Sequence, residues 1–324
     1  MTERERKWAI AAMLGQTLLA GSGFTFAHNA SKEIPPVIFT FLRMFGASLI
    51  FVCYLFFSGS IQKIFLPFKD YFKLSVLALF GVTINQFLFL AGMKYALPAN
   101  SALLYAMTPL FVMIISIVFL KSEGFSFQKG LGIAMAFTGA LIVLFSRGLD
   151  FGFGEELWFG NLMILGAVIS WAIYISLGKK IMNTLSQPID SIASTALFMM
   201  IGFVQFLPIA IGYFTLNDFI TSLQFISPTA WIGFAYVTVL GAAVAYLLLT
   251  YAISRLEASK VSIFMNAQPI VAATVSYLTI GERLSALFLI GGSIAIIGIF
   301  LTQQKDFFFV KKEIEIDLDR NSRS

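Results

Sequence analysis

Charge is scarce in this 324-residue sequence: Asp, Glu, Lys and Arg make up 12% of it, against roughly 25% in soluble domains. So few charged side chains cannot cover a chain that is 58% hydrophobic, which excludes an ordinary soluble fold. Cysteine is limited to Cys53, so no internal disulfide is available and the redox compartment cannot be read. His28 is the single histidine. No acid falls deep inside an apolar stretch; Glu123, Asp190, Glu257 and Glu282 all stand at the ends of such stretches. Intramembrane catalysis needs an acid pair, a Ser–His pair or a metal cluster, and the apolar segments offer almost none of these residues. No cofactor or metal is expected. A scarcity of membrane carboxylates also points away from proton coupling, except through His28.

Long apolar runs are what the sequence does have. A membrane-spanning helix needs about 20 apolar residues, and ten segments qualify: 8–30, 35–57, 71–93, 98–120, 126–146, 158–178, 190–214, 229–251, 258–279 and 284–303. Their short connections leave no room for a soluble domain. Arg4, Arg6 and Lys7 ahead of Trp8 imitate a secretory signal, but the apolar stretch outruns a signal's core, so a retained first helix is expected. The tail, 306–324, reads as a solvated end.

The net charge of +5 is distributed by topology. With both termini cytoplasmic, 17 of the 22 Lys and Arg fall on the inside. Lys32, Lys94, Arg147 and Arg283 fall outside, and Arg43 lies within a span. That is the positive-inside bias of a cell-membrane protein. It accounts for the basic charge without nucleic acid, leaving a small-molecule substrate and membrane lipid as the expected partners.

Glu123, Ser126, Gly132 and Gly139 recur as Glu282, Ser285, Gly291 and Gly298, each shifted by 159 residues. Each copy holds five apolar segments, and an odd number inserts the second copy upside down. The predicted fold class is therefore an all-α membrane protein of ten transmembrane helices, built as two inverted five-helix repeats. The first repeat is 1–148, an external linker 149–155 follows, and the second repeat is 156–305. Pro109 in the fourth span matches Pro269 in the ninth, one residue off this register. Each proline removes a helical hydrogen bond and frees a carbonyl in mid-membrane, making both candidate hinges.

Several stretches resemble the EamA domain of the drug/metabolite transporter superfamily. They are Pro98-Ala-Asn-Ser-Ala-Leu-Leu-Tyr-Ala-Met-Thr-Pro-Leu-Phe-Val112 with Glu123, Leu256-Glu-Ala-Ser-Lys-Val-Ser262, Gln268-Pro-Ile-Val271 and Gly281-Glu-Arg-Leu-Ser285. Ala20–Phe24, Phe41–Phe45 and Ser170–Tyr174 fit as well, so the resemblance runs over nearly all of 8–303. It implies export or exchange of amino acids, other metabolites or drugs through a central cavity lined mainly by helices 1, 3, 4, 6, 8 and 9. Gly23 stands where relatives often carry Asn, and His28 lies near a position where they often carry Lys. Lys-Ser-Glu123 replaces the usual Gly-Glu.

Polar groups inside a membrane are functional candidates. Asn85 and Gln86 share a turn of helix 3. Tyr105 and Thr108 precede Pro109, and Asn266 and Gln268 precede Pro269, so hydrogen-bonding side chains flank both kinks. The alternative is interhelical hydrogen bonding. Trp171 and Tyr174, three residues apart on helix 6, form an aromatic wall with Tyr246 for an apolar side chain, or else belong to an aromatic belt. Arg43 either meets a substrate anion or caps carbonyls and snorkels. Gly132, Gly139, Gly291 and Gly298 are read as close packing between helices 5 and 10. The reading that results is a secondary transporter working by alternating access, with a lipid-head-group flippase as the alternative.

Overall fold

The computed structural model describes residues 3–121, 126–145, 154–253, 264–265 and 267–303. Within these, the principal helices are numbered α1–α10. They are α1 (Glu3–Glu33), α2 (Pro36–Phe57), α3 (Phe68–Met93), α4 (Pro98–Val118), α5 (Phe127–Phe145), α6 (Gly154–Met182) and α7 (Ser191–Tyr213), then α8, which begins at Pro228, α9 (Gln268–Ile280) and α10 (Ala286–Gln303). A short helix, Leu216–Gln224, joins α7 to α8. Seven of these helices are long and apolar enough to cross a membrane, and Phe127–Val143, Gln268–Ile280 and Ala286–Leu301 are shorter apolar helices.

The ends of the helices follow from local chemistry. Pro36, Pro98 and Pro228 sit in first turns, where the missing N–H has no intrahelical partner to lose. The Asp190 carboxylate caps α7 at the Ala193 N–H, and Thr215 with Asp218 forms a reciprocal capping box on the short helix. Gly281 ends α9 at φ 68°, a left-handed conformation costly for any residue with a Cβ.

Two helices are interrupted by π-helical stretches, Leu79–Ile84 in α3 and Tyr236–Val244 in α8. α4 breaks at Met107, just before Pro109. The carbonyl of Tyr105, which Pro109 would leave without a donor, accepts from the Thr108 hydroxyl at 2.6 Å. The break is thus satisfied locally, rather than leaving the carbonyl open as the sequence suggests.

Packing pairs the helices in a regular way. α2 lies on α7, α4 on α9 and α5 on α10, while α1 packs on α8 and α6 on α3. The α5–α10 seam is built on glycine. A Cβ at Gly139 would stand 2.4 Å from the Gly291 carbonyl oxygen, and one at Gly298 would stand 2.7 Å from that of Gly132. The polarity is that of a membrane protein. Leu18, Leu49, Phe57 and Ile211 are exposed, whereas Gln16, Asn85, Gln86, Asn100 and Asn161 are buried.

Candidate functional site

A central cavity of about 260 Å³ opens among the helices, close to the lower end of ligand pockets (about 300–1,000 Å³). Asn85, Gln86, Tyr105, Trp171, Tyr174, Tyr246 and Gln268 all line it, and so does Arg43. Asn266 lies outside the described residues. α2 contributes Arg43, and α7 contributes Thr195, Phe198 and Met199, so the lining extends beyond the helices expected from the resemblance. Gln16 and Thr195 were missed as site residues although both are polar groups well inside apolar helices. That signal alone was enough to find them.

The aromatic wall owes its position to backbone. The rings of Trp171 and Tyr174 stack with centroids 4.8 Å apart, and the ring of Tyr174 meets Phe198 edge-on at 5.6 Å. The Tyr174 ring also lies on Gly81, in the π-helical stretch of α3. Widening that turn strains the hydrogen-bond ladder, and Ser170 donates to the Phe80 carbonyl there at 2.7 Å. Asn85 donates to the Ala167 carbonyl at 2.8 Å and to the Tyr105 hydroxyl at 3.0 Å, tying α3 to α6 and α4.

Facing this wall, Phe24, Phe89 and Tyr105 form an edge-to-face trio with centroids 5.5–5.8 Å apart. Gln268 approaches Gln16 at 3.4 Å. Gln86 reaches only the Met199 sulfur, at 3.6 Å, and leaves its carboxamide oxygen buried without a partner. The Nε of Arg43 is buried and likewise without a partner.

Other expected residues lie elsewhere. His28 is buried and held to the Met93 carbonyl at 2.8 Å, away from the cavity lining. Pro109 starts the second half of α4, and Pro269 lines a separate apolar hollow beside α4 and α10. Glu282 is buried against the Ser276 hydroxyl at the end of α9. Among the described residues, no three His, Cys, Asp or Glu side chains lie together as a metal site.

A cavity enclosed by apolar helices and lined by uncharged aliphatic, aromatic and amide groups, with a single Arg, is a shape that a membrane transporter can use to hold a small solute. The EamA-like transporter family matches this sequence twice, over residues 7–145 and 158–303. The chain belongs to that family. It is 27% identical over 296 residues to an uncharacterized transporter of Archaeoglobus fulgidus, covering 90% of this chain and 96% of that one. It is 28% identical to the uncharacterized transporter YetK of Bacillus subtilis, over 92% of this chain and 88% of that protein. A crystal structure with 17% sequence identity covers 90% of this chain at a TM-score of 0.62, and so shares the fold.

Proposed function

We propose that the protein is a secondary transporter that carries a small, partly apolar metabolite across the cell membrane by alternating access, in export or exchange. An amino acid or a derivative is the substrate class that fits the site. The observation that carries this reading is the register of the cavity lining. Gly81 and Gly241, Val82 and Ala242, Gln86 and Tyr246, and Tyr105 and Met265 are all lining residues, and each pair is 160 residues apart, as are Pro109 and Pro269. The two π-helical stretches fall in the corresponding helices, α3 and α8. The packing supports the same reading. If the halves are related by an inverted twofold, α2–α7, α4–α9 and α5–α10 map onto themselves, and α1–α8 exchanges with α6–α3. Ten spans and two inverted repeats are part of this proposal, and cytoplasmic termini are proposed with it from the Lys and Arg distribution. Such an arrangement holds substrate between the halves while each rocks against the other.

Asn85, Gln86, Tyr105, Gln268, Trp171, Tyr174 and Tyr246 are proposed to contact the substrate. Pro109 and Pro269 act as the hinges.

One observation favours the flippase. An apolar hollow of about 750 Å³ beside α4, α9 and α10 has Arg283 at its edge. It shares no lining residue with the central cavity, so the two hollows are separate and the central one remains the better candidate for the substrate route.

The test compares metabolites of cells with and without the protein, followed by uptake of the altered compounds into liposomes. Uptake of a labelled metabolite supports the transporter. Transfer of lipid head groups between leaflets, without metabolite uptake, replaces it with the flippase.

A further inference from the structure

We infer that the central cavity is built for a carboxylate of single net negative charge, with Arg43 as its counter-ion. Within the amino-acid class this selects molecules whose amino group is acylated or missing over free zwitterions. The inference rests on the transporter reading above and names the substrate class of that same site.

Arg43 is the one charged side chain among the described residues of the cavity lining. Its buried Nε has no partner, and no described carboxylate pairs with it. A guanidinium in a membrane interior is costly unless it is paired. The second half carries no such charge. Gly46 and Gly202 stand 156 residues apart, four fewer than the 160 that relates α3 to α8, because the connection 214–227 is four residues longer than 58–67; that register puts Met199 opposite Arg43, with both residues in the lining. A thioether fills the equivalent place in α7, so the charge is an addition to one half rather than part of the repeat's packing.

Charge balance then decides the ligand. A monoanion brings the site to neutrality. A zwitterion leaves it at plus one, and its ammonium would be a second cation with no acid among the described lining residues to receive it. A phosphate monoester carries close to two negative charges at neutral pH and leaves one uncompensated. The fork of a single guanidinium matches a single carboxylate. The remaining groups agree with an acylated amine. The buried, unpartnered Gln86 carboxamide oxygen has room to hydrogen-bond an amide group of the ligand, and the stacked Trp171 and Tyr174 offer a flat face to an apolar side chain.

The experiment uses the purified full-length protein in liposomes, with labelled phenylalanine and labelled N-acetylphenylalanine as probes. The acetylated compound is expected to be carried better by about tenfold or more, a factor that one uncompensated charge readily supplies. Arg43→Gln should remove that preference, and Arg43→Lys should keep part of it by keeping the charge without the fork. Size-exclusion and thermal unfolding of both variants separate loss of substrate from loss of fold, and if the Gln variant does not fold the Lys variant decides. Phenylalanine carried as well as or better than its acetylated form overturns the inference and leaves the amino-acid reading standing. Unchanged handling of N-acetylphenylalanine by a folded Arg43→Gln protein also overturns it. Transport of neither compound, with other solutes carried, overturns the amino-acid reading as well.

Discussion

The ring of Tyr174 rests on the backbone of Gly81. A Cβ at position 81 would stand 2.5 Å from the Tyr174 Cδ2. Tyr174 cannot move away freely, because it is stacked on Trp171 and edge-on to Phe198. Gly81→Val should therefore displace the aromatic wall. Transport is expected to fall by about tenfold or more, with a stability cost of about 1–3 kcal/mol typical of overpacking. Uptake assays alongside thermal unfolding check this; wild-type uptake by the variant would show that the wall does not hold substrate.

The seam between α5 and α10 gives a contrasting case, because none of its residues lines the central cavity. Gly139→Leu puts a side chain where even a Cβ would stand 2.4 Å from the Ala295 nitrogen. Helix association of this kind depends on close backbone approach rather than on apolar burial. The variant should unfold at lower temperature, by about 2 kcal/mol or more, while the protein that remains folded transports normally. A normal melting temperature would mean that the seam is looser than described.

Much of this was legible in the sequence, and the particular residues show why. Gly132, Gly139, Gly291 and Gly298 announced their seam because close approach leaves a composition signal at helical spacing. Trp171 and Tyr174 could be placed on one face from spacing alone. The π-helical stretches left no such trace. They depend on partners far along the chain, such as Ser170 at the Phe80 carbonyl. The direction of Arg43 was equally hidden, since it is set by how α2 rotates against α7. Asp70 was overlooked because it precedes an apolar run and reads as a loop charge. It is in fact buried, and its partner Ser186 is 116 residues away.

The orientation rests on the distribution of Lys and Arg, and labelling tests it. Cys53 is exposed and must first be replaced. A cysteine at Gly154, in an outer segment by the charge bias, should react with an impermeant reagent added to intact cells, and one at Lys180 should not. The opposite pattern would invert the topology.

Asp190 supplies a pH dependence. Burial opposes its ionisation, but the N–H of Ala193 at 2.8 Å and the ammonium of Lys63 at 2.6 Å outweigh this and hold its pKa below the ordinary 3.8. A carboxyl depressed in the folded state contributes stability that is present above the ordinary value and is lost as pH falls through the lowered one. Asp190→Ala should cost about 1 kcal/mol at neutral pH through loss of the helix cap. Lys63→Met should cost under about 1 kcal/mol, because that pair is solvent-exposed. Thermal unfolding between neutral pH and about pH 3 should show the Asp190→Ala penalty shrinking in acid. A penalty that grew in acid would contradict the assignment.

Asp70 anchors the polar contacts that tie the two halves together at one end of the bundle. Its carboxylate accepts from the Ser186 N–H at 3.0 Å and from Lys73 at 3.3 Å. Lys73 also donates to the Thr184 carbonyl, Gln187 to the Phe65 carbonyl, and Lys63 pairs with Asp190. Every one of these ties except Asp70–Lys73 joins the α2–α3 region to the α6–α7 region. If the halves rock, these contacts must break whenever the cavity opens at this end. Cross-linking cysteines placed at Lys63 and Asp190 with a short thiol-reactive reagent should therefore stop transport, while either single cysteine treated alike should not. Asp70→Ala should act in the opposite sense. Freed at this end, the variant should spend more time open there, seen as faster labelling of a cysteine at Thr195 inside the cavity. Transport that continues at full rate in the cross-linked protein would show that the two regions need not separate, and alternating access by this motion would have to be abandoned.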